Sequence, residues 1–246
     1  MEIELEADIK KLTRNIRGIQ RKQIPFALAQ AVTWTAQDVR TELYQSMRRI
    51  FDRPTKAIVP ADIKNPKKKG ALFLQAAKTK HPVARVWVKD QSAKFNAERV
   101  LLPHIEGGRR KHKPFEKGLI RAGILPPGKF TAPAVGAKRN KFGNMSQGQI
   151  VQILSGVRAS PDPMQNVTGK SRKKKRRDSF FVMYQGGTAT GIWKRTGKRI
   201  APVLNFIAPP MYAKRLHFAY IAKTIIKKRF PKQFEKSFSK ALATAK

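Results

Sequence analysis

Apolar residues recur at helical spacing toward both ends of the chain and alternate with polar ones in between. Ile9, Leu12, Ile16 and Ile19 form one stripe three or four residues apart, which predicts a first helix. A second helix is predicted from near Pro25, since a proline lacks only an N–H that the first helical position does not need. Its stripe runs through Val32, Ala36, Val39, Leu43, Met47 and Ile50. Asp52-Arg53-Pro54 should end it, because the residue before a proline is pushed out of the α region. Spacing this regular predicts core packing rather than a binding face.

Strand patterning follows. Over 81–89, Ala84, Val86 and Val88 share one face and Val83, Arg85 and Trp87 the other, which fits a sheet edge or a subunit contact. From 103 to 148 the periodicity fades. Gly107-Gly108, Pro126-Pro127-Gly128, Pro133 and Gly143-Asn144 are turn formers, so this stretch is predicted to be irregular. One short helix over 146–157 carries Ile150, Ile153 and Leu154. A loop of this length in a compact domain is usually functional or ordered by assembly.

Order is predicted to return at 179–184, 191–194 and 200–206, three β-rich pieces joined at Gly186-Gly187 and Thr196-Gly197-Lys198 as an antiparallel meander. A helix over 212–229 has Leu216, Ala219, Tyr220 and Ile226 as its stripe. A last helix from Pro231 carries Phe234, Phe238 and Leu242. The fold class expected is α+β: N-terminal helices, a small mostly antiparallel sheet and a C-terminal helix pair. The whole chain, 1–246, reads as one domain, with an irregular basic arm inserted over 103–178.

Composition adds a strong electrostatic constraint. Hydrophobic residues make up 41% of the 246, enough to bury a core, yet 53 Lys and Arg face only 15 Asp and Glu, a net charge of +38. Such an imbalance favours nucleic acid, an anionic membrane or an acidic protein as partner. The charge is concentrated after Glu106, where 32 cations meet 4 carboxylates. Arg172, Lys173, Lys174, Lys175, Arg176 and Arg177 are consecutive, and their mutual repulsion predicts a solvated segment. It serves either solubility alone or contact with phosphates or acidic side chains. With Arg109, Arg110 and Lys111, these six are the candidate DNA- or partner-contacting residues.

Candidate chemistry is otherwise sparse. The absence of cysteine excludes disulfides, thiolate metal sites and a cysteine nucleophile. The first residues lack the basic and apolar regions of a secretory signal, and no apolar run approaches the roughly 20 residues that span a bilayer, so a soluble protein is expected. His81, His104, His112 and His217 show no metal-binding spacing. Glu116 reads as an ion-pair partner rather than a general acid. In Gly143-Asn144-Met145-Ser146-Gln147-Gly148 the glycines stand at P-loop spacing, but Gln149 occupies the lysine position. No catalytic residue, metal or cofactor is expected, and no zinc-finger, RNP or helix-turn-helix pattern is visible. Any DNA contact would therefore be to phosphates and independent of sequence.

Several motifs, in order, resemble tailed-phage proteins. Phe51-Asp52-Arg53-Pro54-Thr55, Leu102-Pro103-His104-Ile105-Glu106-Gly107-Gly108-Arg109-Arg110 and Phe115-Glu116 are followed by Gly123-Ile124-Leu125-Pro126-Pro127-Gly128 and Phe142-Gly143-Asn144-Met145-Ser146-Gln147-Gly148-Gln149-Ile150. Together they are similar to the minor tail protein Z and tail-completion (neck) group. Ile192-Trp193-Lys194-Arg195 and Pro202-Val203-Leu204-Asn205-Phe206 extend the likeness, which covers most of 20–240. The resemblance implies a structural, non-enzymatic virion protein at the head–tail junction or on the tail, made in the host bacterial cytoplasm. It implies a subunit of a homo-oligomeric ring whose partners are portal, adaptor or tail-ring proteins and the phosphate backbone of viral DNA, with no membrane. The competing reading is a sequence-independent DNA-binding protein that acts outside a particle.

Overall fold

A computed structural model describes residues 2–6, 20–64, 70–90, 96–168 and 178–243. It is a mixed α+β fold with a long N-terminal helix, small antiparallel sheets and a C-terminal helix. The chain forms two compact units, 1–107 with 213–246, and 108–212. The stripe from Ile9 to Ile19 and the run Arg172 to Arg177 lie outside the described residues.

The first unit is built on α1 (Gln20–Ile50), whose predicted stripe residues Val32, Ala36, Val39, Leu43 and Met47 are buried, with Ile50 half-buried and Leu28 added to the core. The helix begins ahead of Pro25, close enough to its start that the proline interrupts only one turn. Against α1 lies an antiparallel sheet in the order β1 (Glu2–Glu6), β3 (Val83–Val88), β2 (Leu72–Gln75). Ala84, Val86 and Val88 face the core. Of the two expectations for this strand, a sheet edge or a subunit contact, the edge is corrected: it is the central strand of its sheet. Arg85 and Trp87 stand on the face away from the core, where Trp87 meets Phe73 at 5.4 Å between ring centroids. The buried Tyr44 hydroxyl accepts from the Leu72 N–H at 2.9 Å, pinning α1 to β2. Gly70 passes this hydroxyl at positive φ, and a Cβ there would collide with it.

One helix closes the unit where two were predicted. After α2 (Ala97–Glu106), capped by the Asn96 side chain, the chain returns to this unit as the C-terminal helix (Phe218–Ala243), which runs unbroken through Pro231. A proline inside a helix costs about 3 kcal/mol. Here packing on both sides of it offsets that cost: Phe230 and Phe234 lie against the core, and Gln233 Nε2 donates to Asp38 Oδ2 at 2.8 Å. Ser237 Oγ donates to Gln30 Oε1 at 2.9 Å, so the helix runs antiparallel to α1. The buried stripe is Phe218 and Ala222 with half-buried Ile221, Ile225 and Ile226. Ala219 and Tyr220 face outward instead, while the predicted Leu216, just ahead of the helix, is buried.

The second unit contains a four-stranded antiparallel sheet, β5 (Phe130–Pro133), β8 (Arg199–Ile207), β7 (Thr188–Thr196), β6 (Asp178–Gln185). The predicted meander is β6–β7–β8, turned at Gly186, Gly187 and Gly197, all at positive φ. The stretch expected to be irregular holds β4 (Gly108–Arg109), α3 (Pro114–Arg121) and β5, and the short helix predicted beside them is α4 (Gln147–Gly156). The first three are two to eight residues long, too short to print a period. They are secured by burial of Leu119, Leu125, Ile153 and Leu154 against Ile192, Val203 and Leu204. The pair β4 and β9 (Met211–Tyr212) brings the two ends of the unit together. The C-terminal helix of the first unit, Phe218–Ala243, is α5.

Candidate functional site

The candidate contact residues 109–111 separate in role. Arg109 and Lys111 are exposed, whereas Arg110 turns inward. Its guanidinium grips the fully buried Glu116 with both branches, each N–O distance being 2.6 Å. Glu116 also accepts from the backbone N–H of Lys113 at 2.7 Å, the N–H of Thr131 at 2.9 Å and the Thr131 hydroxyl at 2.8 Å. Phe130 lies beside this knot: the Arg110 guanidinium is 4.7 Å from its ring centroid, and His112 stacks on it at 4.0 Å. Burial would raise the Glu116 pKa, but Arg110 and the Lys113 and Thr131 donors outweigh it and hold the group at about 2. A carboxylate held this firmly ionised is not a proton donor. It locks α3 to β5 and the segment after β4, the ion-pair role its sequence neighbours predicted. Arg110 is therefore structural, and its charge is not offered to a partner.

A cationic surface that the sequence reading did not single out lies on α5. Lys228, Lys232 and Lys236 follow one another at i, i+4 and i+8, and Lys223 and Lys227 form a second such row. All five are exposed, as is Arg229. Among the described residues, none of these six lies within ion-pair distance of a carboxylate. Lys236 alone has a directed contact, its Nζ lying 5.5 Å from the Trp34 ring centroid. Like charges at i, i+4 disfavour a helix by about 0.2–0.5 kcal/mol a pair. The helix tolerates them because its other face is buried. A groove of about 300 Å³ at the start of α5 adds Lys214 and His217 to Lys223 and Tyr220. The i, i+4 spacing of these lysines on a predicted helix is the signal in the sequence that marks this surface.

Among the described residues, no group of three or more His, Asp or Glu side chains could hold a metal ion, and no helix is long and apolar enough to cross a membrane. No family model matches the chain, and neither a curated protein nor a solved structure matches it.

Proposed function

We propose that the chain is a structural virion protein of a tailed bacteriophage, a neck, tail-completion or minor tail protein at the head–tail junction or on the tail. It acts as a subunit of a homo-oligomeric ring in particle assembly, and its role is structural rather than enzymatic. The ordered motifs from Phe51 to Phe206 support the class. The observation that carries the mechanism is the exposed cationic surface of α5, which lacks carboxylate partners among the described residues. A junction through which DNA passes supplies such a counter-surface in the phosphates, and an acidic portal or tail ring supplies it in carboxylates. The knot at Glu116 supports a structural role, since the buried carboxylate of the second unit is fully occupied by donors.

Mass spectrometry of purified particles tests the reading. A virion protein is present in fixed stoichiometry after density-gradient purification and stays with the particle in high salt. The same cationic surface favours one second reading, a sequence-independent DNA-binding protein acting outside the particle. In that case the chain is absent from washed particles and is recovered with DNA from the infected-cell lysate.

A further inference from the structure

We propose that the free edge of β6 docks a second copy of this chain, which pairs its own β6 there, antiparallel, about a two-fold axis at Phe181. An edge strand presents unpaired N–H and C=O groups, and folded proteins guard such edges with charge, proline, short length or a covering group. Among the described residues, the two larger sheets have four edge strands, β1, β2, β5 and β6, and three of them are guarded. In β1 every second residue is Glu. β2 has four residues, and the Tyr44 hydroxyl takes both the N–H of Leu72 at 2.9 Å and its C=O at 3.3 Å. β5 also has four and ends in Pro133. Its Thr131 N–H donates to Glu116, and its Thr131 C=O accepts from Arg110 at 3.4 Å. The buried knot thus seals one edge of the four-stranded sheet.

β6 forms the other edge, and it is long and unguarded. Its eight residues include no Lys, Arg or Pro. The register shift between Met183 and Tyr184 leaves Asp178 to Met183 in unbroken register with β7. Among the described residues, the backbone of β6 takes one hydrogen bond beyond its ladder, at the Met183 C=O from the Thr190 hydroxyl of β7 itself. Ser179 to Met183 are half-buried and Tyr184 is exposed. Phe180 and Val182 pack on the core of the unit, while Phe181, opposite Trp193, lies on the other face of the sheet.

Charge and symmetry name the occupant. A chain of net charge +38 repels its own copy over most of its surface, but β6 carries one charged residue, Asp178, and no cation. An acidic foreign strand would find no cation on this strand to pair with. About a two-fold axis perpendicular to the sheet, the central residue stands opposite its own copy. Centring on Phe181 pairs the two Phe181 rings beside Trp193 and sets Phe180 against Val182 on the core face. Antiparallel pairing also sends the basic runs Arg172 to Arg177 of the two copies to opposite ends, whereas parallel pairing would set them side by side. The proposal rests on this edge and not on the virion reading.

Sedimentation equilibrium of the full chain, freed of nucleic acid, over a series of concentrations and salts is the test. A monomer–dimer equilibrium is expected that tightens as salt screens the repulsion between copies, the reverse of association bridged by DNA. Phe181→Lys sets like charges opposite each other and should weaken the dimer by about tenfold or more, with the circular dichroism spectrum unchanged. Ile200→Lys, which adds the same charge at an exposed position of β8, should leave the dimer intact. The chain has no cysteine, so Phe181→Cys treated with a short bis-maleimide reports directly on the second copy. Val135→Cys and Met164→Cys, at positions 94% and 93% exposed, control for random collision and should cross-link far less. A chain monomeric throughout the series, a dimer indifferent to Phe181→Lys, or equal cross-linking at all three positions overturns the proposal. A monomeric chain that is still present in purified particles overturns it and leaves the virion reading standing.

Discussion

Arg110 in the second unit and Lys232 in the first carry the same charge and meet opposite surroundings. Arg110 has a side chain only 11% exposed, and both branches of its guanidinium are held by Glu116, itself supported by three further donors. Lys232 stands on the open side of α5 between Lys228 and Lys236, with no described carboxylate within ion-pair distance. A buried cation must be paired to be tolerated at all, so Arg110 belongs to the fold. A solvated row of cations adds little to stability and keeps its charge for something outside the chain. In a protein this basic, net charge alone does not identify the interface. The distance from each cation to a carboxylate does.

The comparison breaks most visibly at Glu116. Glu116→Gln leaves the Arg110 charge with no ionised partner in a nearly dry site, and breaking a buried pair in this way costs about 3–5 kcal/mol. Thermal unfolding should show the second unit melting well below its wild-type temperature. A wild-type melting curve would place Arg110 with the dispensable surface cations.

Acid should act on the same group. The folded pKa of Glu116 is depressed from 4.5 to about 2, so its contribution is present above 4.5 and is lost as the pH falls from there toward 2. The loss expected across that window is about 3 kcal/mol. Denaturant melts at a series of pH values should show it in the wild type. They should show much less of it in Glu116→Gln, where no proton is taken up at this site.

A smaller effect sharpens the other side. Phe234 is half-buried between Phe230 and Phe238, whose ring centroids lie 6.1 and 5.8 Å away. Truncating a fully buried Phe costs about 3–5 kcal/mol, so Phe234→Ala should cost about 2 kcal/mol and loosen α5 past Pro231. Amide hydrogen exchange should then rise from 231 onward. If stability holds while particle assembly fails, this ring faces a neighbouring subunit.

The least effect on stability is expected on the cationic row. Lys228→Ser with Lys232→Ser removes two like charges and should change stability by no more than about 0.5 kcal/mol. Binding to duplex DNA, followed by anisotropy across a salt series, should lose about 1.8 from its log–log slope. An unchanged slope would leave these lysines as solubilising charge and move the DNA contact elsewhere.

Long periodic segments are legible in the sequence alone. The α1 stripe, the alternation in β3 and the helix over 146–157 all occur within a residue or a few of where the patterns put them. The meander was readable because its glycine turns are required by positive φ. The alternation of Glu2, Ile3, Glu4, Leu5 and Glu6 is a strand pattern, and it forms β1. Its Ile3 and Leu5 pair with Val86 and Ala84 on β3.

By itself, then, the sequence determined the α+β class, the long core helix, the meander, the strong positive charge and the ion-pair nature of Glu116. Those properties depend on local geometry, on apolar period or on simple counting, all of which neighbouring residues carry. Only the tertiary structure decided that α5 continues through Pro231, that β3 is central, that Arg110 is buried while Arg109 and Lys111 are exposed, and that the stretch around α3 and β5 is ordered. Each of these depends on partners distant along the chain. Thr131 reaches Glu116 across 15 residues and Gln233 reaches Asp38 across 195. Contacts over such separations are set by how elements pack, and packing energy outweighs local preference wherever the two disagree.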